Sequence, residues 1–224
     1  MGVLSLAAAV LYWLRYAARE TPGPGGAAIK TVSTLLPAML LFALAPEGAR
    51  WFWLMPLGLA LGVLGDLCLA LRGERAFLAG MAAFGAGHLA YAAALGLRTA
   101  ELGFDGVSAG EGVALAALLG LVASTEFWLA PRTGALRWPV RAYVGLIGGM
   151  GVAAILLPAH PARGLLQAGA GLFLLSDLLL ALRLFVVAEP GWQRGLSLML
   201  WPAYWAGQVL IALGALALWA AGAG

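Results

Sequence analysis

Nearly unbroken apolar stretches recur along this chain, separated by short connectors that hold Gly, Pro and most of the charge. Each stretch is about as long as the ~20 residues a helix needs to cross a bilayer. They fall at 2–18, 27–45, 51–71, 76–97, 111–130, 139–157, 164–185 and 196–221. In hydrocarbon every backbone N–H and C=O must be satisfied internally, so runs of this length predict helices. The clearest break is Thr-Pro-Gly-Pro-Gly-Gly at 21–26, and no connector is long enough to separate two domains. The pattern predicts an all-α membrane protein, a single bundle of eight transmembrane helices over residues 1–224.

Composition agrees: 63% of residues are hydrophobic and only 10% are charged, against about 25% charged in a soluble domain. The net charge of +3 is best read through topology. Arg15, Arg19, Arg72, Arg75, Arg132, Arg137, Arg141, Arg183 and Arg194 fall at one set of alternating connectors, and Arg50, Arg98 and Arg163 at the other. The positive-inside rule then puts the arginine-rich connectors in the cytoplasm and both termini on the non-cytoplasmic side. In a bacterium the membrane would be the plasma (inner) membrane. No basic cluster or aromatic-interleaved stripe suggests nucleic acid as a partner. The first helix lacks a basic segment before it and has Arg15 and Arg19 after it, unlike a cleavable signal. The single cysteine, Cys68, can form no internal disulfide. Trp51, Trp53, Trp138, Trp192, Trp201 and Trp219 are expected as interface anchors.

Polar groups inside the spans change the picture. Asp66, Glu126 and Asp177 each stand six residues before an arginine of the cytoplasmic set. At 1.5 Å per residue this is roughly 9 Å inside the helix end. Asp66-Leu-Cys-Leu-Ala-Leu-Arg72 is echoed by Asp177-Leu-Leu-Leu-Ala-Leu-Arg183. A carboxylate in hydrocarbon costs ~2.5–3.5 kcal/mol or more, so each acid needs a partner, a water pocket or a job. Lys30 enters span two from the same side, as do Tyr204 and Gln208 on one face of span eight. His88 and Tyr91 share a face of span four near mid-membrane. These residues converge on a cavity facing the cytoplasmic leaflet. Two carboxyls in such a site favour one protonated and one ionised, which suits acid–base chemistry. Pairing with Lys30, or with an arginine that turns inward, to pin helices together is the structural alternative.

Glu126 reads as an interfacial snorkelling residue, His160 as a loop residue, and Glu47, Glu101, Asp105 and Glu111 as solvated outer-loop charge. No spacing argues for a metal, and no cofactor is expected. Ser176 beside Asp177 has no serine-nucleophile signature around it. Two other function classes stay open: a small proton-coupled transporter, for which the echo would be an internal repeat, and another membrane lipid hydrolase of metal-dependent type.

Gly65-Asp66-x-x-Leu69, followed by Phe77-x-x-Gly80-x-x-x-Phe84-x-x-x-His88-x-x-Tyr91, resembles the signature of the YhhN-type lysoplasmalogenase family. Lys30, Tyr143 with Met150, Phe173-x-x-Ser176-Asp177 and Tyr204-Trp205-x-Gly207-Gln208 extend the resemblance in order. Lys30 is followed by Thr31 where the family often has proline, and Tyr-Trp stands for Tyr-Tyr. The resemblance implies hydrolysis of the vinyl ether of a lysoplasmalogen, a lysophospholipid, to a fatty aldehyde and glycerophospho-ethanolamine or -choline. On that reading Asp66 and Asp177 are the catalytic pair and Lys30 meets the phosphate. His88, Tyr91, Tyr143, Ser176, Tyr204 and Gln208 would orient water, carboxyls and glycerol. Oligomeric state is not legible.

Overall fold

A computed structural model describes residues 1–19, 23–46, 48–71 and 73–221. Glu47, Arg72 and the Thr21-Pro22 part of the first break lie outside the described residues. Eight α-helices appear among them: α1 (Gly2–Arg15), α2 (Gly23–Ala43), α3 (Arg50–Ala70), α4 (Glu74–Leu102), α5 (Ala109–Trp128), α6 (Arg137–Ile155), α7 (Arg163–Phe185) and α8 (Pro190–Ala220). Two short 3-10 turns, Ala130–Arg132 and Gly134–Leu136, join α5 to α6, and the described residues contain no strand. Seven helices, α2 to α8, are long and apolar enough to cross a membrane. The chain is therefore an integral, multi-pass membrane protein.

The remaining helix, α1, differs from expectation. α1 has 14 residues, about 21 Å of helix, against a hydrocarbon core of about 30 Å. Its attachment follows from prolines in its neighbours. Pro37 in α2 and Pro202 in α8 bring no N–H, which frees the carbonyls of Ser33 and Leu198 one turn earlier. α1 supplies the missing donors: Ser5 Oγ donates to Ser33 O at 2.6 Å, and Trp13 Nε1 to Leu198 O at 2.9 Å. Trp201 returns an indole hydrogen bond to Ala9 O at 3.0 Å.

Small residues set the tightest helix pairs, α3 with α4 and α7 with α8. A Cβ on Gly207 would stand 3.0 Å from both Gly169 O and Phe173 N, so α7 and α8 touch backbone to backbone. Between α3 and α4 a Cβ on Gly87 would stand 3.1 Å from Gly58 O, and Gly65 leaves its side-chain space to the Phe84 ring. Close approach of backbones is the usual means of helix association where lipid supplies no hydrophobic drive. The two echoed aspartates thus lie on the first helix of two tight hairpins. α5 is peripheral, packed on α6 and the first 3-10 turn.

Helix ends shift for local reasons. α4 runs on to Leu102, beyond the expected 97, because Arg98 pairs with Glu101 and lies over the Trp51 ring. α8 starts at Pro190, before the expected 196, because Glu189 caps it by accepting from Gly191 N and Trp192 N at 2.8 Å each. Trp53, Trp138 and Trp192 are exposed as anchors should be. Trp51 and Trp201 are buried, which corrects their reading as interface residues: one carries Arg98, the other borders the Lys30 site.

Candidate active site

One polar cavity of about 330 Å³ occupies the end of the bundle where α1 and α3 finish and α2 and α8 begin. Lys30, Asp66, Tyr143, Ser176, Asp177 and Tyr204 line it. The two echoed carboxyls, 111 positions apart in the chain, therefore border one chamber. Their surroundings differ.

Asp66 is clamped. Its Oδ1 lies 2.8 Å from Lys30 Nζ, an ionic contact without the directionality of a hydrogen bond. Its Oδ2 accepts from Thr34 Oγ1 at 3.1 Å and from Tyr204 OH at 2.9 Å. Behind Tyr204 the donors continue: Gln208 Nε2 to Tyr204 OH at 3.3 Å, and Tyr91 OH to Gln208 Oε1 at 2.7 Å. Every hydrogen in this chain points toward Asp66, an arrangement that suits an ionised, acceptor-only carboxylate. Lys30 Nζ also sits 5.7 Å from the Trp201 and Tyr204 ring centroids, close enough for cation–π attraction. The Asp66 side chain is 0% exposed.

Asp177 is open, with its side chain 16% exposed. Tyr143 OH donates to its Oδ2 at 2.5 Å, and His88 Nε2 lies 3.5 Å from the same oxygen and 3.0 Å from Tyr143 OH. Phe173 packs edge-on against His88 at 4.7 Å and against Tyr204 at 5.3 Å, so an aromatic wall stands between the two polar groups. Asp177 can exchange a proton with a molecule in the cavity while a phenol and an imidazole hold it from behind.

The expected residues thus divide. His88 and Tyr91, read as one face, serve different acids: His88 backs Asp177 and Tyr91 backs the Asp66 chain. Along with Gln208, neither borders the cavity. Ser176 does, but its hydroxyl donates to Phe173 O at 2.7 Å within its own helix. Glu126 faces away and forms a forked pair with Arg141 Nε and Nη2 at 2.5–3.1 Å. Glu111, expected as solvated charge, instead pairs with Arg163 and closes a capping box with Ser108. His160 lies in the α6–α7 loop and accepts from Ala162 N at 3.1 Å.

Residues beyond the expected set also reach the site. Thr34 is four residues after Lys30, one helical turn on, so spacing alone could have found it. Arg19 and Arg183 line the cavity; the sequence allows that some arginine turns inward but does not say which. Their inward position depends on how the helix ends splay, which periodicity does not encode.

A multi-pass bundle enclosing a carboxylate-bearing chamber at one membrane face defines a class of intramembrane site. The chain belongs to the YhhN family, whose model matches residues 26–215. It is 35% identical over 176 residues to the Bos taurus protein named lysoplasmalogenase TMEM86A, covering 76% of this chain and 66% of that one. It is 32% identical over 216 residues to lysoplasmalogenase TMEM86B of Rattus norvegicus, covering 94% and 82%. The Homo sapiens TMEM86A relative is 33% identical over 188 residues, 81% of this chain and 71% of that one. No solved structure matches.

Proposed function

We propose that this protein is a lysoplasmalogenase, hydrolysing the vinyl ether bond of a lysoplasmalogen within the membrane. Supporting the reading is one observation: in a chain of this family, two carboxyls border a single polar cavity, one sealed beneath a lysine and one open.

The proposed chemistry follows from that asymmetry. Asp177, as the acid, delivers its proton to the β-carbon of the vinyl ether. The double bond becomes an oxocarbenium ion, with positive charge shared between the ether oxygen and the adjoining carbon. Ionised Asp66 with its donor chain supplies fixed negative charge in the same chamber, as the second carboxylate does in glycoside hydrolysis. Water adds to the oxocarbenium carbon and returns a proton to Asp177. The hemiacetal then collapses to a fatty aldehyde and the glycerophospho-alcohol. Tyr143 and His88 hold Asp177 in place, while Tyr91, Tyr204 and Gln208 hold Asp66. No metal or cofactor enters this scheme.

Aldehyde release by the purified protein from a lysoplasmalogen, set beside its saturated alkyl-ether analogue, tests the proposal. A vinyl ether is protonated on carbon; a saturated ether cannot be. Release from the first substrate alone is expected, and absence of aldehyde from both would overturn the assignment.

A further inference from the structure

Asp177 borders a second chamber as well. A cavity of about 110 Å³ lies among α4, α5, α6 and α7, walled by apolar side chains such as Met81, Leu121, Val144, Leu174, Leu178 and Ala181. Phe77, Phe84, Tyr143 and Asp177 are among the residues that line both chambers and separate them, with Leu69, Leu180 and Leu184. α5 contributes to the apolar chamber and not to the polar one. It packs on α6 with no comparable interface to α4 or α7, so the α5 wall is the loosest side.

The polar chamber carries a charge imbalance. Arg19, Lys30 and Arg183 line it against Asp66 and Asp177. Lys30 is taken up by Asp66. Arg183 Nε is buried and has no hydrogen-bond partner among the described residues. An unmet buried guanidinium N–H is costly and calls for an acceptor, and a phosphodiester presents the planar pair of oxygens that guanidinium groups bind best.

We infer that the lysolipid lies across Asp177, its phosphodiester against Arg183 in the polar chamber and its alkenyl chain in the apolar chamber. This inference rests on the hydrolase reading for the identity of the lipid. It assigns phosphate recognition chiefly to Arg183, since Lys30 is engaged by Asp66. In a lysoplasmalogen the vinyl ether joins glycerol to chain, so a lipid bound this way has its reactive carbon at the partition, beside the open carboxyl. The chain and the aldehyde product then move along the α5 side, within the bilayer.

The test uses the full-length protein in lipid nanodiscs. Arg183→Gln should raise KM for a lysoplasmalogen about tenfold, the scale of one charge-assisted hydrogen bond. It should leave KM for a 1-alkenylglycerol without phosphate unchanged. Ala181→Phe, or Leu121→Trp from the opposite wall, should lower kcat/KM for long-chain substrates about tenfold or more while sparing short-chain ones. Equal effects of Arg183→Gln on both head groups, or equal losses at all chain lengths in both cavity variants, would overturn the orientation. Binding of a saturated alkyl-ether lysophospholipid separates this inference from the catalytic reading. If wild-type protein releases no aldehyde but binds that lipid with the same Arg183 and Ala181 dependence, hydrolysis fails and the orientation stands. No dependence on either residue overturns the orientation whatever the activity.

Discussion

Lys30 and Asp66 form an ion pair of 2.8 Å between α2 and α3, with the carboxylate fully enclosed and the lysine side chain 20% exposed. Breaking such a pair strands a charge where solvation is poor, and removing one partner of a buried pair costs about 3–5 kcal/mol. Lys30→Met is expected to fall within that range, because the charge it strands is the fully enclosed Asp66 carboxylate. Asp66→Asn in the same background should restore much of the loss. A double-mutant cycle of unfolding in mild detergent measures this, and an additive double variant would show that the pair contributes no coupling.

The two carboxyls predict different phenotypes despite matching local sequences. Asp177 touches the cavity and should behave as a general acid, so Asp177→Asn should lower kcat by about 10²–10⁴ with little change in melting temperature. Tyr143→Phe removes the 2.5 Å donor to Asp177 and should give an intermediate loss of activity. Asp66→Asn should lower both activity and stability, because it leaves Lys30 without its partner. Aldehyde-release kinetics together with melting curves separate the cases. Wild-type rates in both aspartate variants would remove the carboxyls from the mechanism.

Much of this was legible in the sequence, for reasons the structure makes plain. Seven long helices announce themselves because hydrocarbon demands unbroken apolar runs. Asp66, Asp177 and Lys30 stand out because charge inside such runs needs a reason. Partnership was less accessible. His88 and Tyr91 are three apart on one helix, yet one meets Tyr143 from α6 and the other Gln208 from α8. Which neighbour stands opposite each depends on bundle order, set by close contacts such as Gly169 against Gly207. Arg183 illustrates the same limit: hydropathy counts it as loop charge, while the end of α7 turns it toward the chamber.

Acid should weaken the α7–α8 connection in a defined way. The backbone N–H groups of Gly191 and Trp192 hold the Glu189 carboxyl below its usual range. A folded-state value below the unfolded one means the cap stabilises the protein above the unfolded pKa. That contribution fades as pH falls through the lower, folded value. Wild-type protein should therefore melt higher than Glu189→Ala at neutral pH, and the two curves should converge in acid. A constant difference across the titration would show that the charge of the cap is irrelevant.

The side of the membrane on which the chamber opens decides which leaflet supplies the lysolipid. By the positive-inside rule, the arginine bias predicts that the α5–α6 turn lies inside the cell and the α4–α5 loop outside. Ala135 and Asp105 are exposed at these two sites, and Cys68 is the only native thiol. In a Cys68→Ala background, Asp105→Cys should react with an impermeant maleimide in intact cells, whereas Ala135→Cys should react only after lysis. α1 adds a second constraint, since its 14 residues fall short of a full bilayer. A reporter on the N-terminus should nevertheless report outside, because Arg15 ends α1 and Arg19 follows it on the arginine-rich side, and its proline-matched hydrogen bonds run along α2 and α8. The reverse labelling pattern would move the chamber to the outer leaflet and make extracellular lysolipid the accessible pool.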